Sequence, residues 1–183
     1  TDDSWRCKPS GRSVVSTWGW KHSYGGEEVD ARLDDPKWCL PESPDEGWVP
    51  VTEVSAPAIP AEAQRNPADN VIRTLPPVAC TARANGTYTL DFGTNLAGWL
   101  NIRLPHLKAG QIVTFHYSDL ESADAGTEVF GQRDTFISAG KENEVFSGKF
   151  NYHGFRFVTI DGLPAAPELA GAQALAIGAP WES

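Results

Sequence analysis

The stretch Asp91-Phe92-Gly93-Thr94-Asn95-Leu96-Ala97-Gly98-Trp99 lies at the centre of a half-chain built from strand-like runs. Residues 87–92 before it alternate between polar and apolar side chains, and residues 99–104 after it do so less regularly. Alternation with a period of two is typical of a strand that buries one face. We therefore predict a strand that ends in a glycine turn at residues 91–95, and a second strand after that turn.

The rest of the chain follows the same pattern, and helical periodicity is essentially missing. An Ala- and Pro-rich segment at residues 55–70 predicts a long surface loop. Short apolar or β-branched runs separated by glycine turns favour an all-β fold, an antiparallel β-sandwich of the jelly-roll type, as one domain over residues 1–183. The further predicted strands are residues 14–18, 49–54, 70–74, 112–117, 134–137, 144–146, 155–160 and 172–177.

Composition narrows the class of partner. The chain has 183 residues and a net charge of −9, which disfavours binding to the phosphate backbone of a nucleic acid. No apolar run approaches the roughly 20 residues that span a bilayer, so no membrane partner is expected. The polar start without a signal peptide fits a mature secreted protein or an excised domain. An N-glycosylation sequon at Asn85-Gly86-Thr87 also favours a secreted, extracellular protein.

Three cysteines, Cys7, Cys39 and Cys80, leave one thiol unpaired if a disulfide forms. None has the CxxC spacing of a zinc cage. A bridge between Cys7 and Cys39 would tie the N-terminal arm to the segment around Trp38. The sequence alone does not choose the pairing.

Three segments in this order resemble the N-terminal β-sandwich region of bacterial and fungal α-L-rhamnosidases. Gly26-Glu27-Glu28-Val29-Asp30-Ala31-Arg32 is similar to the family's G-E-x-Y-D-A-R, residues 91–99 to D-F-G-x-N-x-x-G-W, and residues 152–157 to Y-H-G-F-R-Y. The resemblance covers about residues 1–163. It implies a sandwich without its own hydrolytic centre, because the family's acid and base lie in a separate helical barrel.

Some of these sandwiches are calcium-dependent modules that bind L-rhamnose, so the resemblance implies calcium as a cofactor. Asp45, Glu46 and Asn95 would be the metal ligands, since carboxylate and amide oxygens suit this hard cation. The family's Asp-Asn pair is Asp45-Glu46 here, a departure that affects calcium affinity or geometry. The literal pair Asp69-Asn70 is the alternative position, and a solvated turn is the alternative role for Asp45 and Glu46.

Asp30, Asp45, Asn95 and Trp38 are the candidate sugar-binding residues. A carboxylate at Asp30 could accept a sugar hydroxyl, but an ion pair with Arg32 is favoured, because alternation along one strand would put Glu28, Asp30 and Arg32 on one face.

Aromatic and histidine positions complete the candidate set. Trp20 or Trp38 could present a ring face to a sugar, while Trp48 and Trp99 are expected to pack. His153 is expected to be a packed histidine rather than a catalytic base. Next to it, Phe155 and Phe157 are predicted to face inward and Arg156 outward.

The sequence and the family resemblance leave three functions open. The first is a non-catalytic carbohydrate-binding module, not an enzyme, that recognises L-rhamnose through bound calcium and targets an associated or fused catalytic domain to rhamnose-containing plant polysaccharide. The second is an accessory structural sandwich of an α-L-rhamnosidase without a sugar site. The third is a small glycan lyase or hydrolase, although the chain carries no catalytic motif of the common hydrolase, protease or nucleotide-binding classes. Calorimetry with L-rhamnose, with and without EDTA, discriminates among them.

Overall fold

A computed structural model describes residues 2, 4–17, 23–121 and 129–180. Within these ranges the regular structure is β-strand, with three short 3-10 turns and no α-helix. The all-β expectation is therefore confirmed. No helix in this part of the chain has the length and apolar character needed to cross a bilayer.

Twelve strands follow one another along the chain, and most coincide with a predicted run. They are β1 Arg6–Cys7, β2 Arg12–Thr17, β3 Ser23–Asp30, β4 Val49–Pro50, β5 Asn70–Leu75, β6 Ala79–Ala82, β7 Tyr88–Arg103, β8 Ile112–Ser118, β9 Arg133–Ile137, β10 Val145–Ser147, β11 His153–Asp161 and β12 Ala172–Gly178.

Ten of these strands form one curled sheet in the order β2-β3-β9-β8-β11-β7-β12-β5, with β6 and β10 also paired to β7. The sheet is mixed rather than purely antiparallel, because β3 and β9 run parallel from Glu28↔Thr135 to Asp30↔Ile137. The small strands β1 and β4 pair only with each other in the described chain.

The glycine turn predicted at residues 91–95 is wrong, because β7 continues through it as a single strand of 16 residues. Gly93 has φ +75°, a left-handed conformation that glycine adopts without strain, and its N–H donates to Asp91 Oδ1 at 2.6 Å. The segment is a kink inside a strand. It lets β7 pair with β11 and then β10 along one side, and with β6 and then β12 along the other.

The core lies within the second half of the chain. Phe115 and Phe146 stack with ring centroids 4.5 Å apart, and both are fully buried. Phe155 and Phe157 face inward as predicted, with 1% and 7% exposure, and Arg156 lies half-buried on the other face.

The first half is less regular, as expected. The strand predicted at residues 49–54 shrinks to Val49–Pro50, and residues 51–69 form an extended surface segment without strands. The cysteines form no disulfide: Cys7 and Cys39 are exposed thiols, while partial burial raises the pKa of the Cys80 thiol.

Candidate functional site

Asp30 is the last residue of β3, and its carboxylate accepts hydrogen bonds from the next turn of the chain. Its Oδ1 accepts the Arg32 backbone N–H at 3.1 Å and caps the 3-10 turn Ala31–Leu33. The Arg32 guanidinium donates to both carboxylate oxygens, with Nε–Oδ1 at 2.9 Å and Nη2–Oδ2 at 2.7 Å. These hydrogen bonds hold the pKa of Asp30 below its usual value. The predicted ion pair is confirmed, but Arg32 lies in the 3-10 turn and not on the strand.

Beside Asp30 an open groove of about 840 Å³ separates the N-terminal segments from the loop before β10. Trp38 and Trp48 both line it, with ring centroids 6.5 Å apart and planes tilted by 38°. Lys8 lies 5.0 Å from the Trp48 ring centroid and pairs with Asp35 at 2.8 Å. The hydrogen bond from Lys8 lowers the pKa of Asp35. Trp48 therefore faces the groove instead of packing in the core.

The groove contains two of the four predicted sugar-binding residues, Asp30 and Trp38. Asp45 and Asn95 do not line it, and Trp20 falls outside the described residues. Trp99 is half-buried and packs as predicted, so near Gly148 that a Cβ added there would stand 2.8 Å from Trp99 Cδ1.

The predicted calcium ligands come from two elements. Asp45 and Glu46 are exposed in the turn before Trp48, where the Asp45 carbonyl oxygen accepts the Trp48 N–H at 3.2 Å. Asn95 is exposed on β7. Over the described ranges no three His, Cys, Asp or Glu side chains gather as a metal-binding group. In the alternative pair, the Asn70 side-chain amide donates to Ala68 O at 2.9 Å and lies on the surface.

A buried polar cluster connects two of the family-like segments, and sequence reasoning missed it. Glu27 Oε1 accepts backbone N–H groups from Lys149, Phe150 and Asn151 at 2.7, 2.5 and 3.1 Å. Its Oε2 is paired with Arg12. A charge with 1% exposure needs such partners, because burial without them is costly.

Asp134 completes this cluster from β9. Its Oδ1 accepts the Glu27 N–H at 2.7 Å and faces His153 Nε2 at 3.1 Å, and its Oδ2 accepts Tyr117 O–H at 2.5 Å. Burial, with the charge of Asp134 next in importance, raises the pKa of Tyr117 well above its usual value. His153 is stacked on Tyr117 with ring centroids 4.0 Å apart and is 1% exposed, so the packed role predicted for it is confirmed.

Another ion pair joins the third family-like segment, residues 152–157, to the second, residues 91–99. Arg156 on β11 donates to Asp91 on β7 through Nε–Oδ1 at 2.8 Å and Nη2–Oδ2 at 2.9 Å. These hydrogen bonds lower the pKa of Asp91. The polar residues of the family-like segments thus hold the strands of the sheet together: Glu27, Asp91, His153 and Arg156. The groove lined by Trp38 and Trp48 is open to solvent and could accept a ligand.

Comparison with known proteins finds the same family along both halves of the chain. Residues 81–178 match the bacterial α-L-rhamnosidase concanavalin-like domain, and residues 1–73 match the α-L-rhamnosidase N-terminal domain. An α-L-rhamnosidase of Alteromonas sp. (strain LOR) is 30% identical over 168 residues, which are 88% of this chain and 18% of that protein.

Solved structures agree with this result. The α-L-rhamnosidase from Dictyoglumus thermophilum has a TM-score of 0.85 at 24% identity, over 98% of this chain and 20% of that one, and shows the same fold. The α-L-rhamnosidase of Streptomyces avermitilis, solved in complex with L-rhamnose, has a TM-score of 0.76 at 26% identity, over 85% of this chain and 16% of that one.

This chain spans only about a fifth of the length of these relatives. The jelly-roll expectation agrees with the concanavalin-like description of the matched profile. The match over residues 81–178 shows that the chain belongs to the bacterial α-L-rhamnosidase concanavalin-like domain family.

Proposed function

We propose that this chain is a non-catalytic domain of an α-L-rhamnosidase, and that its groove binds L-rhamnose-containing glycan. The observation that carries the proposal is the pair of tryptophans, Trp38 and Trp48, in one open groove. Indole faces suit the C–H surface of a sugar ring and the methyl group of a 6-deoxy sugar. The Streptomyces relative solved with L-rhamnose supports this choice of sugar.

The groove also offers polar partners for hydroxyl groups. Asp34 lines it without a side-chain partner among the described residues, while the Asp30 carboxylate is occupied by Arg32. A sugar bound between the tryptophans would donate its hydroxyls to Asp34 more readily than to Asp30. The role that we propose is to hold the rest of a longer enzyme near its polymer, and the chain's small share of its relatives' length supports this role.

Calorimetry with methyl α-L-rhamnoside tests the proposal. Trp38→Ala and Trp48→Ala should each weaken binding by tenfold or more, on the order of 1–3 kcal/mol for a lost aromatic contact. Trp5→Ala is the matched control, because Trp5 is 57% exposed and does not line the groove. Equal affinity in all four proteins would place the sugar elsewhere. The chain alone should not cleave p-nitrophenyl rhamnoside. Cleavage by the purified chain that is lost when one of its carboxylates is mutated would show that it is an enzyme.

We propose calcium as the cofactor at the exposed turn that carries Asp45 and Glu46, with Asn95 as a further ligand. Adjacent carboxylates in an exposed turn are the hard oxygen donors that calcium prefers. A ligand that binds only the folded chain raises its thermal midpoint by mass action. Millimolar calcium should therefore raise the midpoint relative to EDTA, and Asp45→Ala should remove the increase.

The Asp69→Ala variant discriminates between the two positions for the metal. If Asp69→Ala removes the calcium effect and Asp45→Ala does not, the ion belongs to the Asp69-Asn70 pair. An unchanged midpoint in calcium and EDTA would contradict both positions. If rhamnose binds neither in calcium nor in EDTA, the chain is a structural domain without a sugar site. The hydrogen bonds by which Glu27 and Asp91 connect separate strands and loops support that role.

A further inference from the structure

The two tryptophans of the groove are carried by separate pieces of the chain. Trp48 directly precedes β4, which forms a two-stranded ribbon with β1 and pairs with no other described strand. Trp38 lies in the turn at residues 36–39. Neither indole is buried in the core, since Trp38 is exposed and Trp48 is half-buried. The arrangement of the two rings therefore depends on contacts between the ribbon and the turn.

Lys8 makes such a contact. Cys7 pairs with Val49 in the ribbon, which brings the next residue, Lys8, close to Trp48. The Lys8 ammonium lies over the Trp48 ring, 5.0 Å from its centroid, and donates to Asp35 Oδ2 at 2.8 Å. Among the described residues this is the only ion pair made by the ribbon or by a residue next to it.

Asp35 connects this lysine to the turn that carries Trp38. Its Oδ1 accepts the Lys37 backbone N–H at 3.0 Å, and its carbonyl oxygen accepts the Trp38 N–H at 3.2 Å. One carboxylate thus orders the turn with one oxygen and holds Lys8 with the other. A continuous series of contacts runs from the Trp48 ring through Lys8 and Asp35 to the backbone of Trp38.

We propose that Lys8 and Asp35 are positioning residues that set the arrangement of Trp38 and Trp48, and thereby the affinity of the groove for its ligand. The effect on affinity rests on the proposed function, whereas the arrangement of the rings can be measured without a ligand. The face of an indole attracts a cation, so the ammonium holds the Trp48 ring as well as Asp35. A site that keeps its binding arrangement for only part of the time binds correspondingly more weakly.

Circular dichroism tests the arrangement of the rings in the free chain. Two indoles this close couple their electronic transitions, and the resulting bands of opposite sign depend on the angle between the rings. The contribution of this pair is the difference between the spectra of the wild type and Trp38→Phe. Lys8→Met removes the charge but keeps an unbranched side chain, and should reduce this contribution. Lys8→Arg keeps a cation over the ring and should preserve it.

Calorimetry with methyl α-L-rhamnoside measures the effect on affinity. Lys8→Met should weaken binding about two- to tenfold, as expected when an exposed cation–π contact and an exposed ion pair are lost. Lys8→Arg should restore the affinity of the wild type. Lys108→Met is the matched control and should bind like the wild type, because Lys108 is exposed and does not line the groove. Thermal melts establish that each variant is folded.

A double-mutant cycle tests whether the two residues act together. Asp35→Asn loses the charge that holds Lys8 but keeps an oxygen that can accept the Lys37 N–H. Asp35→Asn should weaken binding by itself, and its combination with Lys8→Met should bind no more weakly than Lys8→Met alone, because the shared contact is already lost. Losses that add in the double variant would overturn the joint role.

The outcomes separate this inference from the proposed function. If the dichroism and the affinity of Lys8→Met are those of the wild type, or if Lys8→Arg does not restore them, the positioning role is overturned and the sugar site remains. If the wild type itself does not bind the rhamnoside, the proposed function is overturned. The dichroism of Lys8→Met and Lys8→Arg then decides the positioning role by itself.

Discussion

A single buried carboxylate connects distant parts of the chain. Glu27 on β3 binds the backbone of residues 149–151 and the side chain of Arg12 on β2. Its own backbone N–H donates to Asp134 on β9. Four segments that are far apart in sequence are thus fixed by one residue of a family-like motif, and the rim of the groove at Lys149 depends on it.

Replacing Glu27 with Gln should strongly destabilise the fold. An amide cannot balance the Arg12 charge, and its NH₂ group would face either that guanidinium or the backbone N–H groups. Breaking a buried pair of this kind costs about 3–5 kcal/mol. Urea denaturation measures the loss. The control is Glu28→Gln, because Glu28 is exposed on the same strand and its replacement should change stability by less than about 0.5 kcal/mol. Similar losses in both variants would contradict the role of Glu27.

The ion pair between Asp91 and Arg156 should make stability depend on pH. Arg156 lowers the pKa of Asp91 in the folded state below its value of about 3.9 in an unfolded chain. A lowered pKa contributes stability above the unfolded value, and this contribution is lost as the pH falls through the folded value. Asp91→Asn keeps the acceptor for the Gly93 N–H but loses the charge.

We therefore expect Asp91→Asn to have a lower thermal midpoint than the wild type at pH 7, and the difference between the two midpoints should narrow as the pH falls below the ordinary range of an aspartate. Circular dichroism melts at several pH values measure the difference. Asp161→Asn, at the exposed end of β11, is the control and should have nearly the same midpoint as the wild type at pH 7. A gap for Asp91→Asn that stays constant down to pH 2.5 would show that its charge does not matter.

At the level of elements, β7 shows where sequence reasoning succeeds and where it stops. Alternation located both halves of this strand, because one face of each half is buried. From the sequence, Gly93 predicts a turn, since glycine is a usual turn residue. Whether such a residue ends a strand or bends it depends on the strands paired on either side, here β6 and β11, which lie far away in sequence.

In the candidate site too, contacts between neighbours in sequence were predictable and contacts between distant segments were not. The pair of Asp30 and Arg32 was predictable because the two residues are two positions apart and their contact is local. Glu27 and Asp134 were missed because the contacts that join Glu27 to Asp134 and to residues 149–151 span 107 to 124 residues. The only local signal was the pair of glycines before Glu27. Gly26 lies so near β9 that an added Cβ would stand 1.8 Å from the carbonyl oxygen of Arg133.

Two glycines of the family-like segments should differ sharply in their tolerance of a side chain. A Cβ at Gly98 would lie 2.0 Å from the Leu175 carbonyl oxygen, where β7 pairs with β12, so the backbone must shift. Gly98→Ala should cost about 1–3 kcal/mol, as overpacking does. At Gly154 on β11 an added Cβ meets no atom of the described residues within 4 Å, and Gly154→Ala should stay within about 0.5 kcal/mol of the wild type. Chemical denaturation that ranks the two variants equally would refute the close approach.

For the whole molecule, the core lies in the second half of the chain, whereas the groove combines N-terminal segments with one stretch of that half. The buried hydrophobic cluster is formed by residues 90–174, whereas most of the groove residues come from positions 6–48 and 141–150. The N-terminal segments are attached to this core through the parallel pairing of β3 with β9 and through Glu27. Residues 51–69 run between the two parts as an exposed segment without strands.

Limited trypsin digestion should therefore cut the chain in two without separating the pieces. Arg65 lies within the exposed segment with its side chain 86% accessible, and cleavage of unstructured, exposed backbone is fast. The two fragments should remain together on gel filtration, because β3 stays paired with β9 and Glu27 stays bound to residues 149–151. Denaturing electrophoresis and mass spectrometry identify the pieces, and Arg65→Gln, which lacks this cleavage site, should delay their formation. The same digestion of Glu27→Gln should release the N-terminal fragment, since the contact that holds it is lost. Separation of the wild-type fragments under native conditions would show that β3 and Glu27 do not suffice to hold the groove's two sides together.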